Sequence, residues 1–316
     1  MTDQLDESAQ LLLDVSNRSN ARPIEAGTPL EARSNYNAGF PVIQGAREAV
    51  ASVEDRQISG LNGSITVRIY RGIGAPSKDS PGLLYLHGGG WVIGNLDSHD
   101  EICRWFANLA GCTVICPDYR LAPEHKFPAG LMDCAAALAF VAKSATDLGV
   151  DPKRIAVAGD SAGGNLAAVL ALMSRSGDAP RLAAQLLIYP NTDATQTADS
   201  YRRYAAGFGL TAAAMKWFRD HYVRAAADIV DWKVSPLLAE TLVGAAPAFI
   251  ATAGYDILVD EGLAYATRLR EDGVRVVPRH WPGQIHGFVS MGKYMPEARQ
   301  VIEEAVAAWR SFEAMD

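Results

Sequence analysis

Four cysteines are few for a chain of 316 residues, and Cys103, Cys112, Cys116 and Cys134 form no C-x-x-C pair with partners at zinc spacing. They read as buried structural thiols, and no metal site is expected. Long apolar runs are also missing. The longest fall well short of the ~18 residues that a membrane helix needs, so no membrane span is expected. The first residues, MTDQLDESAQLLLDV, are acidic, and Leu11–Leu13 is too short for a signal-peptide core. A cytoplasmic protein is the expectation. Positive charge is in deficit, with 29 Lys and Arg against 36 Asp and Glu and a net charge of −7. That balance argues against nucleic acid as a partner. There is no internal repeat, no run of like charge and no low-complexity segment.

What the chain does have is 49% apolar residues, enough for a large core. Strand and helix signals alternate along it. Ile65–Tyr70 alternates and is β-branched, and Leu83–Leu86, Thr113–Cys116, Ile155–Ala158, Leu186–Tyr189, Ala248–Ala253 and Val274–Val277 are short apolar runs. Ser98-His99-Asp100-Glu101 has the form of a capping box ahead of a helical face of Ile102, Phe106 and Leu109. Pro128 opens a helix expected to reach about Leu148, with Gly149 as its C-cap. A small-residue helix is expected over Ala162–Ser174. This alternation predicts an α/β fold with a mostly parallel, doubly wound sheet. Two stretches break the rhythm. Residues 1–45 look helical in places. Residues 191–235 carry no strand signal, many aromatics and Thr211 as an N-cap candidate, and so read as a helical insertion.

Two motifs carry chemistry. Gly159-Asp160-Ser161-Ala162-Gly163 is G-x-S-x-G, set between an expected strand and an expected helix. A serine on such a tight turn needs neighbours without a Cβ on either side. About seventy residues earlier, His87-Gly88-Gly89-Gly90 follows a strand and can turn backbone N–H groups toward a developing oxyanion. Ser161 is thus the candidate nucleophile, with the N–H groups of Gly88, Gly89 and Ala162 as candidate oxyanion donors. A serine needs a base. Among six histidines, His87 belongs to the glycine loop, where its ring is expected to brace the loop. His99 is expected at an exposed helix cap, His125 in a loop, His221 on the insertion and His280 at the end of a strand. His286, in Gly283-Gln284-Ile285-His286-Gly287, follows the last strand, as the order Ser, acid, His requires. The acid should follow the strand Ala248–Ala253, and Asp256 stands there. Asp260 and Glu261 read as charge at the start of the next helix.

These residues resemble the hormone-sensitive-lipase family of α/β-hydrolase carboxylesterases. The resemblance rests on HGGGW (His87–Trp91), DYRLAPEHKFPA (Asp118–Ala129), GDSAGG (from Gly159), YDILVDEG (Tyr255–Gly262) and GQIHGF (Gly283–Phe288). It implies Ser161, Asp256 and His286 as the catalytic residues of a serine carboxylesterase for short-to-medium acyl esters. It implies no cofactor and often a homodimer. It also implies a helical cap built from residues 1–45 and 191–235 over a catalytic domain of 46–190 and 236–316. Ile257 stands where the family commonly has proline. Arg120 and Glu124 are expected to brace a loop, and Asp160 to bond local backbone. Trp91, Phe208, Leu210 and Ile257 are the candidate substrate contacts, with Trp217 and Phe218 as further aromatics of the insertion. Two other readings remain open: a non-catalytic small-ligand receptor on this fold, and an amide or carbamate hydrolase or deacetylase.

Overall fold

The computed structural model describes residues 4–19 and 22–314. Residues 1–3, 20 and 21 of the helical stretch expected over 1–45 lie outside the described residues. Eight strands form one sheet: β1 Ser52–Gly60, β2 Gly63–Arg71, β3 Ser80–Leu86, β4 Thr113–Pro117, β5 Val150–Asp160, β6 Ala184–Ile188, β7 Ala248–Tyr255 and β8 Val276–Ile285. Their spatial order is β1-β2-β4-β3-β5-β6-β7-β8. The hairpin of β1 and β2 is antiparallel and joins β4 antiparallel, and every later pairing is parallel.

The alternation of side chains along each strand splits the core in two. Leu84, Leu86, Val157, Leu187 and Ile250 face helices α4 (Ala129–Lys143), α5 (Ala162–Ser176) and α8 (Val259–Glu271). Leu83, Tyr85, Ala158, Leu186 and Phe249 face α3 (Asp100–Ala110) and α9 (Glu297–Glu313). Helices cover both faces, so the central strands are apolar on both sides and read as continuous runs rather than alternations.

Four helices stand outside this pattern: α1 Glu7–Arg18, α2 Pro29–Ile43, α6 Ser200–Arg203 and α7 Ala212–Tyr222. Thr28 and Glu31 close a reciprocal capping box at the start of α2. The Thr211 hydroxyl accepts the Ala214 N–H at the start of α7, as expected. No helix among the described residues is long and apolar enough to cross a membrane. All four cysteines are buried and unpaired, and burial pushes the Cys103, Cys112 and Cys134 thiols above their ordinary range.

Two local expectations need correction, and one strand was not foreseen. The box at Ser98–Glu101 does not form, because both side chains are bonded elsewhere. Ser98 Oγ accepts the Asn95 N–H, and Glu101 accepts the Gly45 N–H. Helix α4 stops at Lys143 rather than near Leu148. The intervening turns end at Gly149, whose φ of +64° turns the chain into β5. Strand β1 had no sequence signal, since SVEDRQISG is polar and mostly exposed; its whole length is held by pairing with β2.

Candidate active site

The site forms where β5 runs into α5. Ser161 sits between them at φ +55°, ψ −118°, a backbone conformation that costs energy for any residue with a Cβ. The turn persists because its surroundings hold it on three sides. The Ser161 N–H donates to Ile188 O at 2.9 Å, and the Ser161 carbonyl accepts from the N–H groups of Asn165 and Asn191. The flanking glycines are sterically required. A Cβ on Gly163 would lie 2.0 Å from Leu86 O, and one on Gly159 would lie 2.4 Å from the Gly163 carbonyl.

Ser161 Oγ lies 2.9 Å from His286 Nε2, and His286 Nδ1 lies 2.7 Å from Asp256 Oδ2. An ionised carboxylate only accepts, so Nδ1 carries the proton and Nε2 accepts from the serine hydroxyl. Asp256 leaves the carboxyl end of β7, and its Oδ1 accepts the Leu258 N–H at 2.9 Å, which fixes its rotamer. His286 follows β8, and Gly287 at φ +84° turns the chain away behind it. The three residues are 125 and 30 positions apart in the chain, yet their side chains form one connected line.

The glycine loop departs from expectation at one donor. The Gly88 N–H donates to Asp160 Oδ1 at 3.0 Å, and Gly88 does not line the cavity beside Ser161. Gly89, Gly90 and Ala162 do line it. Gly90 rather than Gly88 thus stands on the cavity wall beside Ser161. The loop rests on a buried polar network. Asp160 accepts from the Tyr85 hydroxyl at 2.7 Å and faces His99 Nε2 at 3.3 Å. Burial opposes the Asp160 charge, but His99 and the Tyr85 hydroxyl outweigh it and hold the carboxyl below its usual range. His99 is thus buried rather than exposed at a helix cap. His87 is buried too, stacked on Tyr119 with ring centroids 4.2 Å apart, and burial pushes it down to about 3, so it is neutral. It braces the loop, as expected, through Nδ1–H to the Gly88 carbonyl.

A cavity of about 190 Å³ opens above Ser161. Trp91 and Leu210 line it, as expected, and so does Phe218. Trp91 is stacked on Tyr222, with ring centroids 4.3 Å apart. Two expected contacts are not on this wall. Phe208 packs against Tyr204 and Tyr255. Ile257 is fully buried beside Tyr201, Met215 and Leu258. Aromatic or apolar character near the site does not reveal which way a side chain turns. Sequence reasoning missed Tyr36, Phe40 and Ile43 of α2, which supply another wall. The Thr28-x-x-Glu31 box with Pro29 behind it was the available signal for that helix, although not for its inward face.

Arg33, on the same helix, ties α2 to the site. Its Nε donates to Val92 O at 2.8 Å, its Nη2 to Ala122 O at 2.7 Å, and it pairs with Glu124 through both carboxylate oxygens. Arg120 makes a two-pronged pair with Asp133 at 2.7 and 2.8 Å. Arg120 and Glu124 therefore both hold loops. Glu261 is not a solvent-facing helix charge. It is buried, and its Oε1 accepts from Asn191 Nδ2, Thr192 N and Asp193 N. Asp260 pairs with Arg203 at 2.6 Å and caps the Ser200 N–H.

The model of a family described by its alpha/beta hydrolase fold matches residues 83–290. An ethyl acetate hydrolase of Pseudomonas putida is 38% identical over 96% of this chain and 97% of its own length. The carboxylic ester hydrolase LipN of Mycobacterium tuberculosis is 39% identical over 97% of this chain and 83% of its own. Among solved structures, an ester hydrolase from the metagenome of Lake Arreo superposes with a TM-score of 0.94 at 38% identity, covering 98% of this chain and 100% of its own. A hyperthermophilic esterase of Pyrobaculum calidifontis gives 0.92 at 36% identity, covering 98% and 99%. With the sheet order, the elbow and these relatives in agreement, the chain belongs to the α/β-hydrolase family, in its hormone-sensitive-lipase-like carboxylesterase branch.

Proposed function

We propose that this carboxylic ester hydrolase works through Ser161, His286 and Asp256 by way of a covalent acyl-enzyme, and that it prefers short-to-medium acyl chains. The observation that carries this reading is the unbroken line from Ser161 Oγ to His286 Nε2 at 2.9 Å and from His286 Nδ1 to Asp256 at 2.7 Å. His286 takes the serine proton as Oγ attacks the ester carbonyl. The oxyanion collects beside the N–H groups of Gly89, Gly90 and Ala162, where one donor is worth about 3 kcal/mol in the transition state. The alcohol leaves with the proton from His286. Water then attacks the acyl-enzyme by the same proton path and releases the acid. Asp256 holds the imidazole tautomer and steadies the imidazolium without taking its proton.

The chain-length preference is supported by cavity size. A volume of 190 Å³ exceeds only modestly the roughly 150 Å³ cavities that hold a benzene ring. The helices of residues 1–45 and 191–235 serve as one cap, since α2 and α7 both contribute side chains to the wall above Ser161. The test is hydrolysis of nitrophenyl esters from acetyl to decanoyl by wild type and by Ser161→Ala. Turnover should peak at the short-to-medium end and fall by a factor of about 10³ or more in the variant, with an unchanged melting temperature. Full activity in Ser161→Ala overturns the nucleophile assignment.

A further inference from the structure

Besides Ser161, another bulky residue near the site holds a backbone conformation that side chains avoid. Tyr189 has φ +33°, directly after β6. A tyrosine there is a steric outlier, and such strain persists only where its surroundings impose it. Those surroundings are specific. The Tyr189 N–H donates to Ala251 O of β7 at 2.7 Å. The residue before it, Ile188, gives its carbonyl to the Ser161 N–H, and Asn191, two residues on, donates its N–H to the Ser161 carbonyl. Tyr189 is therefore pinned from both sides to the turn that carries the nucleophile.

The ring is buried against His286. Tyr189 is 1% exposed, and its ring centroid lies 4.6 Å from that of His286, with the planes inclined at 54°. Phe288 closes the other side, edge-on at 5.6 Å. His286 sits on a loop after β8, at the sheet edge, where hydrogen bonds to Asp256 and Ser161 hold its two nitrogens but nothing in those bonds fixes the tilt of the ring about the line between them.

We propose that Tyr189 is a positioning residue for His286. Its ring, held by the strained backbone at the end of β6, forms the surface against which the imidazole plane is set, so that Nε2 meets the serine while Nδ1 stays on Asp256. This rests on the reaction proposed above. Tyr189 touches no reacting atom, and its effect belongs to the chemical step rather than to substrate binding.

The experiment compares Tyr189→Phe with Tyr189→Leu, using short-chain nitrophenyl esters and wild type and Ser161→Ala as references. The Ser161→Ala control decides the underlying reaction independently. Once that is secure, Tyr189→Leu should lower kcat between about tenfold and a hundredfold with KM within about twofold. Tyr189→Phe, which keeps the ring, should retain most of the turnover. Melting curves of both variants separate a fold defect from a positioning defect. A folded Tyr189→Leu with wild-type kcat overturns the proposal. So does a Tyr189→Phe as impaired as the leucine variant, or a loss confined to KM.

Discussion

The turn that carries Ser161 and the wall that faces it are built on opposite principles. At the turn, backbone meets backbone. Gly159 and Gly163 pass so close to each other and to Leu86 that only hydrogen fits, and a short local motif specifies the geometry. At the wall, side chains from α2, from the segment around Leu210 and from α7 meet across space, and no local pattern records that meeting. The turn is encoded by sterics within a few residues, and the cavity wall by packing between distant helices. Substitutions at the turn and its partners should therefore act almost all-or-none, while substitutions at the wall should be graded.

The largest expected difference lies between two acids four residues apart. Asp256→Asn should cost roughly 10⁴-fold in kcat, because the imidazole loses its tautomer control. Asp260→Asn, which only loosens the Arg203 pair and the Ser200 contact, should stay within about tenfold. Steady-state kinetics on the two variants checks this, and the reverse ranking would move the acid. Next comes Gly163→Ala. Its Cβ would lie 2.0 Å from a backbone oxygen, so a loss of about 4 kcal/mol in denaturant unfolding is expected. A stability within 1 kcal/mol of wild type would mean that the turn can open.

The loop beneath the turn should show itself through pH. His87 is held down to about 3 against an ordinary 6.5, so between those values the unfolded chain binds a proton that the folded chain refuses. Stability is then lost as pH falls through that window. A His87→Gln variant should show a flatter dependence of melting temperature on pH between about 6.5 and 4. The smallest effect is expected at the wall. Phe40 lies between the 190 Å³ cavity and a second of about 750 Å³ on the outer side of α2. Phe40→Ala should join the two and raise decanoyl over acetyl turnover by only a fewfold. An unchanged ratio would show that acyl chains leave the site by another route.

The central strands were legible as short apolar runs, and the turn at Ser161 because Gly159 and Gly163 leave it little steric choice. Asp256 and His286 were placed only by their order after late strands, and the structure brings both side chains to Ser161. The Gly88 assignment failed because the motif shows that a glycine loop is present but not which N–H turns toward the nucleophile. That is decided by Asp160, which occupies the first one. His99 and Glu261 were read as helix-end polar groups because their positions in the helices are right. Their burial depends on partners 61 residues away at Asp160 and 70 away at Asn191. Phe208 and Ile257 show the same limit for apolar residues: proximity to the site was readable, but the direction of the side chain was not. β1 left no trace because a polar strand at the sheet edge is specified by its neighbour rather than by its own residues.

The Arg33 guanidinium gives its protons to Val92 and Ala122, two carbonyls of the loops that frame the nucleophile. The loops beside Ser161 are thus tied mechanically to helix α2. A helix hinged in this way cannot swing aside as a free flap, because lifting it strips two loop carbonyls of their donor and parts an ion pair in the same motion. Helix α2 and the two loops it touches are consequently tied at a single joint, and truncating Arg33 would loosen all three together.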